Sequence, residues 1–156
     1  MTEVLDIGGL HRPGETDRHG FRSERWSVDF LVGGRSLYDL LGGRKRALSG
    51  VFLTKRDQIF RRTNENAATR ALFSELGGGG IRLSLYVCPE CGDLGCGALT
   101  CEAIRVGDKV VWRNFGFETG IAEYPADFAS YTQVGPFEFD DHQYAETIAR
   151  AAQGKL

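Results

Sequence analysis

Four cysteines fall within fourteen residues, in the stretch Cys88-Pro89-Glu90-Cys91-Gly92-Asp93-Leu94-Gly95-Cys96-Gly97-Ala98-Leu99-Thr100-Cys101, and the chain has no others. Their spacing, C-x2-C-x4-C-x4-C, suits a metal ion. Two residues between the first pair let the backbone wrap until both thiolates face one point, about 2.3 Å from a zinc ion. Gly92 can take the positive φ that such a wrap needs, and bare backbone at Gly92 and Gly95 lets amide N–H groups approach the sulfurs. Those contacts matter because four thiolates leave formal negative charge on the site. Disulfide frameworks instead spread their cysteines to tie distant segments together, and bridges closing very small loops gain little. Structural zinc on Cys88, Cys91, Cys96 and Cys101 is therefore the first expectation; a redox or disulfide pair and reduced, unliganded thiols stay open beside it.

The elements around the cluster would place it at the apex of a hairpin. Ile81, Leu83, Leu85 and Val87 alternate with Arg82, Ser84 and Tyr86, the pattern of a half-buried strand. Leu99 to Val106 reads as the returning strand and would bring Cys101 back beside Cys88. Gly107-Asp108 is a turn, and Lys109 to Phe117 a third strand, completing a meander. Upstream, Trp26, Val28, Phe30 and Val32 give a strand, and Val51-Phe52-Leu53 a short second one. Ser36 with Asp39 can cap a short helix, Asn64 one that runs to Leu76, and Asp140 with Gln143 a last one carrying Tyr144, Ile148 and Ala151 on one face. Residues 1–22 show no period and read as a flexible arm before a single domain over 23–156. The expected fold class is α+β: an antiparallel meander with a knuckle-like hairpin loop and about three helices on one face.

The run Cys88-Pro89-Glu90-Cys91-Gly92 resembles the knuckle of zinc-ribbon and rubredoxin-type sites, and the whole fourteen-residue stretch is similar to a retroviral-type zinc knuckle. It departs from that knuckle at Cys96, where the family has histidine, and in lacking a basic surround. The resemblance implies structural zinc more than it implies nucleic-acid binding. Tyr86 to Gly97, followed by Val111-Trp112-Arg113-Asn114-Phe115-Gly116, also resembles small actinobacterial proteins, which implies a shared fold and no mechanism. The Cys-Pro-Glu-Cys start looks like a dithiol oxidoreductase motif, but glycines follow where that chemistry uses a helix N-terminus to lower a thiol pKa. A closed four-sulfur shell leaves no position for water or substrate, so catalytic zinc is not expected.

Charge and composition bound the rest. The net charge is −2, with 42% hydrophobic and 26% charged residues, as in a globular protein. Residues 1–78 hold 13 Lys/Arg against 10 Asp/Glu and residues 79–156 hold 6 against 11, so +3 faces −5. The acidic second half argues against coating by nucleic acid and suggests a face for a basic protein partner, in the manner of immunity or antitoxin proteins. Aromatics such as Trp112, Phe115, Phe117, Tyr124, Phe128 and Tyr131 could anchor such an interface. The opposite sign appears at Arg44, Lys45, Arg46, Lys55, Arg56, Arg61 and Arg62, a possible anion or nucleic-acid patch whose plainer reading is a solvated surface. His11, Asp17 and His19 are a weak second metal candidate, and His142 is expected to face solvent. No apolar run approaches the ~20 residues of a membrane span, and no secretory signal pattern opens the chain, so a cytoplasmic address is expected. The expected function is a zinc-stabilised, non-catalytic binding protein with a protein partner; a nucleic-acid binder and a thiol–disulfide oxidoreductase on Cys88 and Cys91 are the alternatives.

Overall fold

The computed structural model describes residues 2–17, 20–57, 59–72, 80–90, 96–121 and 123–156. The meander is present, and the fold is α+β. Strands β7 (Ile81–Val87), β8 (Ala98–Val106) and β9 (Lys109–Glu118) pair in antiparallel order. The sheet continues through β10 (Phe137–Asp140) beside β9, and through the two-residue β6 (Ser49–Gly50) beside β7.

Residues 1–22 depart from the expected flexible arm. Leu5–Arg12 form strand β1, paired through eight register positions with β4 (Arg25–Val32), and β5 (Arg35–Ser36) extends this second sheet. Glu15–Asp17 (β2) and Gly20–Arg22 (β3) pair as a small ribbon. The arm reading failed because Leu5 and Ile7 alternate inward, then Gly8-Gly9 shifts the phase before Leu10 and Arg12 turn inward again. No simple period of two spans the break.

The two sheets join at both edges. After β6 the chain crosses to β4, where Val28 N–H donates to Phe52 O (2.9 Å) and Thr54 N–H to Trp26 O (2.8 Å). Here the backbones lie so close that a Cβ on Gly50 would sit 2.2 Å from Val28 O, a position only glycine can hold. At the far edge Glu3 N–H donates to Glu138 O (2.7 Å), tying the start of the chain to β10. The strand expected at Val51–Leu53 is thus realised two residues early, with Leu53 making a single bridge to Ser27.

Aromatic rings fill the space between the sheets. Phe30 meets Trp112 edge-on at 5.3 Å and Phe52 at 5.9 Å, while Trp112 contacts Phe139 and Tyr144. Such pairs are worth about 0.5–1.5 kcal/mol each beyond their burial. Of the expected interface anchors, Trp112, Phe115 and Tyr131 are buried, whereas Tyr124 and Phe128 are 64% and 43% exposed.

Helix α1 (Leu37–Leu40) is capped by the Ser36 hydroxyl, and α3 (Asp141–Ala152) by the Asp140 carboxylate accepting from Gln143 N–H, as the sequence suggested. Helix α2 (Phe60–Leu72) starts four residues before its expected cap. Asn64 is instead a fully buried clamp inside the helix. Its Oδ1 accepts from Leu53 N–H and its Nδ2 donates to Leu53 O, both at 2.7 Å, and to Ala151 and Ala152 O at the end of α3. Residues 73–76, the expected last turn, lie outside the described residues. No described helix is long and apolar enough to cross a membrane.

Asn64→Ala should lower the unfolding free energy by about 2–4 kcal/mol, because the buried Leu53 amide loses both partners at once; urea titration reads this directly. Tyr144 is buried and donates to Ala71 O, and burial pushes its phenol pKa up. Its folded pKa lies above the unfolded value, so its contribution is present below about pH 10 and is lost as pH rises further. Urea midpoints measured from about pH 9 to about pH 11 should therefore fall; a flat profile counts against a buried neutral phenol.

Candidate functional site

Register separates Cys101 from Cys88. Leu83 of β7 stands opposite Cys101 of β8, and Val87 opposite Ala98. Paired residues share a face, so Cys101 follows Leu83 into the core and is fully buried beneath α3. Cys88 lies five residues further along the chain, roughly 16 Å at the rise of a strand. Two thiolates on one zinc ion sit at most about 4.6 Å apart. A shell of all four cysteines therefore does not fit this fold. Cys101 is moreover a poor thiolate, since burial pushes its thiol pKa far up.

Cys88 and Cys96 both line one pocket of about 540 Å³. Cys88 is a half-buried free thiol and Cys101 a buried one, whereas Cys96 is disulfide-bonded, so neither of those two is its partner. Cys91, Gly92 and Gly95 lie outside the described residues. Among the described residues no three His, Cys, Asp or Glu side chains converge as a metal group.

The pocket's other walls come from both sheets and from the turn of 3-10 helix at Gly43–Arg46. Glu90 links them. Its Oε1 accepts from Ser23 N–H (2.7 Å) and lies 3.5 Å from Arg12 Nη1, while Oε2 receives the Cys88 thiol at 3.6 Å. Burial raises the Glu90 pKa, but the Ser23 N–H and the Arg12 guanidinium outweigh it and hold the carboxyl below its usual range. Arg12 itself is nearly buried, donating Nε–H to Ala47 O and Nη1–H to Ser23 O. Arg25 adds a bond from Nη2 to Pro89 O.

Arg46 lies flat over the Phe117 ring, 3.7 Å from its centre, and Phe117 in turn covers Gly97. Gly97 has φ +111, and a Cβ there would stand 2.3 Å from the Phe117 ring. Lys45 lines the same pocket. Sequence reasoning weighed Arg46 and Lys45, and Phe117 as an interface anchor, but missed Arg12, Gly97 and the linking role of Glu90. Only the repeated glycines hinted at Gly97; nothing local signals that Arg12 reaches the loop.

The expected basic patch is divided. Arg44 pairs with Asp39 and leans over Tyr38, Arg56 covers Trp26, and Lys55, Arg61 and Arg62 are exposed elsewhere. His11 stacks on Trp26 at 3.8 Å and pairs with Glu24, and His142 is exposed on α3. Some of the acidic half is engaged internally: Glu102 with Arg113, Glu118 with Arg82, and Asp141 with Arg105, while Asp140 caps α3.

Gly97→Ala should cost about 1–3 kcal/mol from the left-handed backbone alone, and more as Phe117 is driven toward Arg46. The melting temperature should fall clearly, and one unchanged within error would contradict this packing. No known protein family, curated protein or solved structure matches the chain, so the functional reading rests on these residues.

Proposed function

We propose that the chain is a non-catalytic binding protein in which the cysteine segment, held by zinc when reduced, forms one wall of a basic recess for an acidic group on a protein partner. The observation that carries this reading is the lining of a single pocket by Cys88, Cys96, Arg12, Lys45 and Arg46. Cys88, Cys91 and Cys96 would hold the ion, with Glu90, whose Oε2 lies 3.6 Å from the Cys88 sulfur, as fourth donor; Cys101 stays in the core. Zinc would supply cross-linking of this wall and no chemistry.

Internal pairing of the acidic half changes the expected sign of the partner. Carboxylates bonded to Arg82, Arg105 and Arg113 offer little to a basic protein. Lys45, by contrast, has no described carboxylate partner, and Arg46 keeps its charge over an aromatic face. A recess of this size suits one carboxylate-bearing side chain better than the continuous basic stripe a nucleic acid needs.

A second reading has its own observation. A free thiol at Cys88 beside a disulfide at Cys96 is the arrangement of a thiol–disulfide oxidoreductase. In that case an external dithiol would lose two electrons and two protons to the bridge.

Elemental analysis of reduced protein should find close to one zinc per chain, lost in Cys88→Ser and Cys96→Ser and retained in Cys101→Val. Poly-L-glutamate should bind in a salt-dependent way that Lys45→Gln weakens, and random-sequence single-stranded DNA should not compete. Absence of zinc together with turnover of a dithiol would establish the oxidoreductase instead, and preferential DNA binding would overturn the protein-partner assignment.

A further inference from the structure

A second cleft, of about 680 Å³, is lined by residues of α2 and of β7. It exists because β6 is too short. Its two residues pair with Val87 and Tyr86 only, so Ile81 to Ser84 have a strand neighbour on the β8 side alone. Helix α2 covers this open edge incompletely, and Arg70 of its last turn donates Nη2–H to the exposed Arg82 O at 2.8 Å.

The floor is apolar and nearly closed to water: Phe30, Phe52, Leu85 and Trp112 are each no more than 2% exposed. The polar lining comprises Arg70, Arg82, Ser84, Thr100 and Glu118. The two cations differ. Arg82 is saturated, donating Nε–H to Glu118 (3.0 Å), Nη1–H to Asn114 O (2.6 Å) and Nη2–H to Thr100 Oγ1 (2.6 Å), with its charge balanced by Glu118. Arg70 makes its one described hydrogen bond to a neutral carbonyl and has no carboxylate partner among the described residues. Among the described residues, one guanidinium without a carboxylate partner thus lines an aromatic-floored cleft.

The buried Trp112 indole N–H comes near the Tyr144 hydroxyl without closing a hydrogen bond. Clefts of this volume that combine apolar walls with a few polar groups are characteristic small-molecule sites.

We propose that this cleft binds a slender apolar carboxylate, its head on the Arg70 guanidinium and its chain or flat ring along the Phe30–Phe52 floor. A guanidinium matches a carboxylate in charge and can meet both its oxygens. The nearly closed floor admits a single chain or ring edge rather than a bulky group. This site is separate from the basic recess and does not depend on zinc.

Decanoate is the probe, with decanol as its neutral counterpart, titrated calorimetrically into the full-length chain while tryptophan emission is followed. Decanoate should bind with one-to-one saturation below its micellar range and shift the emission. Arg70→Gln should weaken decanoate about tenfold and leave decanol unchanged, Lys45→Gln should alter neither, and Ala67→Phe, which fills the mouth, should abolish both at an unchanged melting temperature. Absence of saturable binding, equal binding by Arg70→Gln, or a loss caused by Lys45→Gln would each overturn the assignment. Should Ala67→Phe fail to fold, the Arg70→Gln comparison decides alone.

Discussion

The pairing of Leu83 with Cys101 is the constraint on which the remaining geometry depends. Residues opposite one another across an antiparallel pair share a face, so this register sends Cys101 into the core with Ala103 and Trp112, and turns Arg82, Thr100 and Glu102 to the opposite face of the sheet, where Thr100 is nonetheless buried. A slip of one residue would exchange the two sets. The same pairing thus separates Cys101 from Cys88 and assembles Arg82, Thr100 and Glu118 into one polar cluster. Irregularities in register between Ser84 and Tyr86, and between Thr100 and Glu102, reset the phase near the cysteine end. They let Tyr86 turn inward, where its hydroxyl donates to Asp29 and accepts from Phe30 N–H.

Both pockets follow from how the two sheets are joined. The crossing after β6 is held by two backbone bonds, by the close approach of Gly50 to Val28, and by Asn64, which ties Leu53 to the end of α3. Because the crossing leaves β7 so early, a cleft remains under α2. Because β1 runs beside β4, Arg12 reaches Ser23, Ala47 and Glu90 together and gives the cysteine segment a cationic neighbour.

Much of this architecture was legible before any coordinates. Strands β7, β8 and β9 follow from alternation, and the caps at Ser36 and Asp140 from a side-chain oxygen placed three residues before the amide it accepts from. What escaped was non-local. Asn64 reads as a cap because asparagine favours caps, yet its amide serves a strand and a helix end that no local pattern connects to it. Strand β1 was hidden by the phase change at Gly8-Gly9. The cysteine spacing pointed to a thiol cluster, but whether Cys101 joins one depends on strand pairing, a property of two segments and not of spacing.

The magnitudes indicate what keeps the recess in shape. Glu90 and Arg12 form a partly exposed pair, worth under about 1 kcal/mol, and its hydrogen bond from Ser23 adds about 1.5–3 kcal/mol at most for a charged acceptor. Tethers of that size permit frequent local opening. A disulfide contributes typically about 2–4 kcal/mol, and zinc on deprotonated thiolates an apparent ~10–16 kcal/mol in small peptides at neutral pH. A bridge gains least where it closes a very short loop, and Cys88 and Cys101 are free thiols, so the hydrogen bonds of Arg12 and Glu90 do as much as the sulfur link to define the wall carried by Arg12, Lys45 and Arg46.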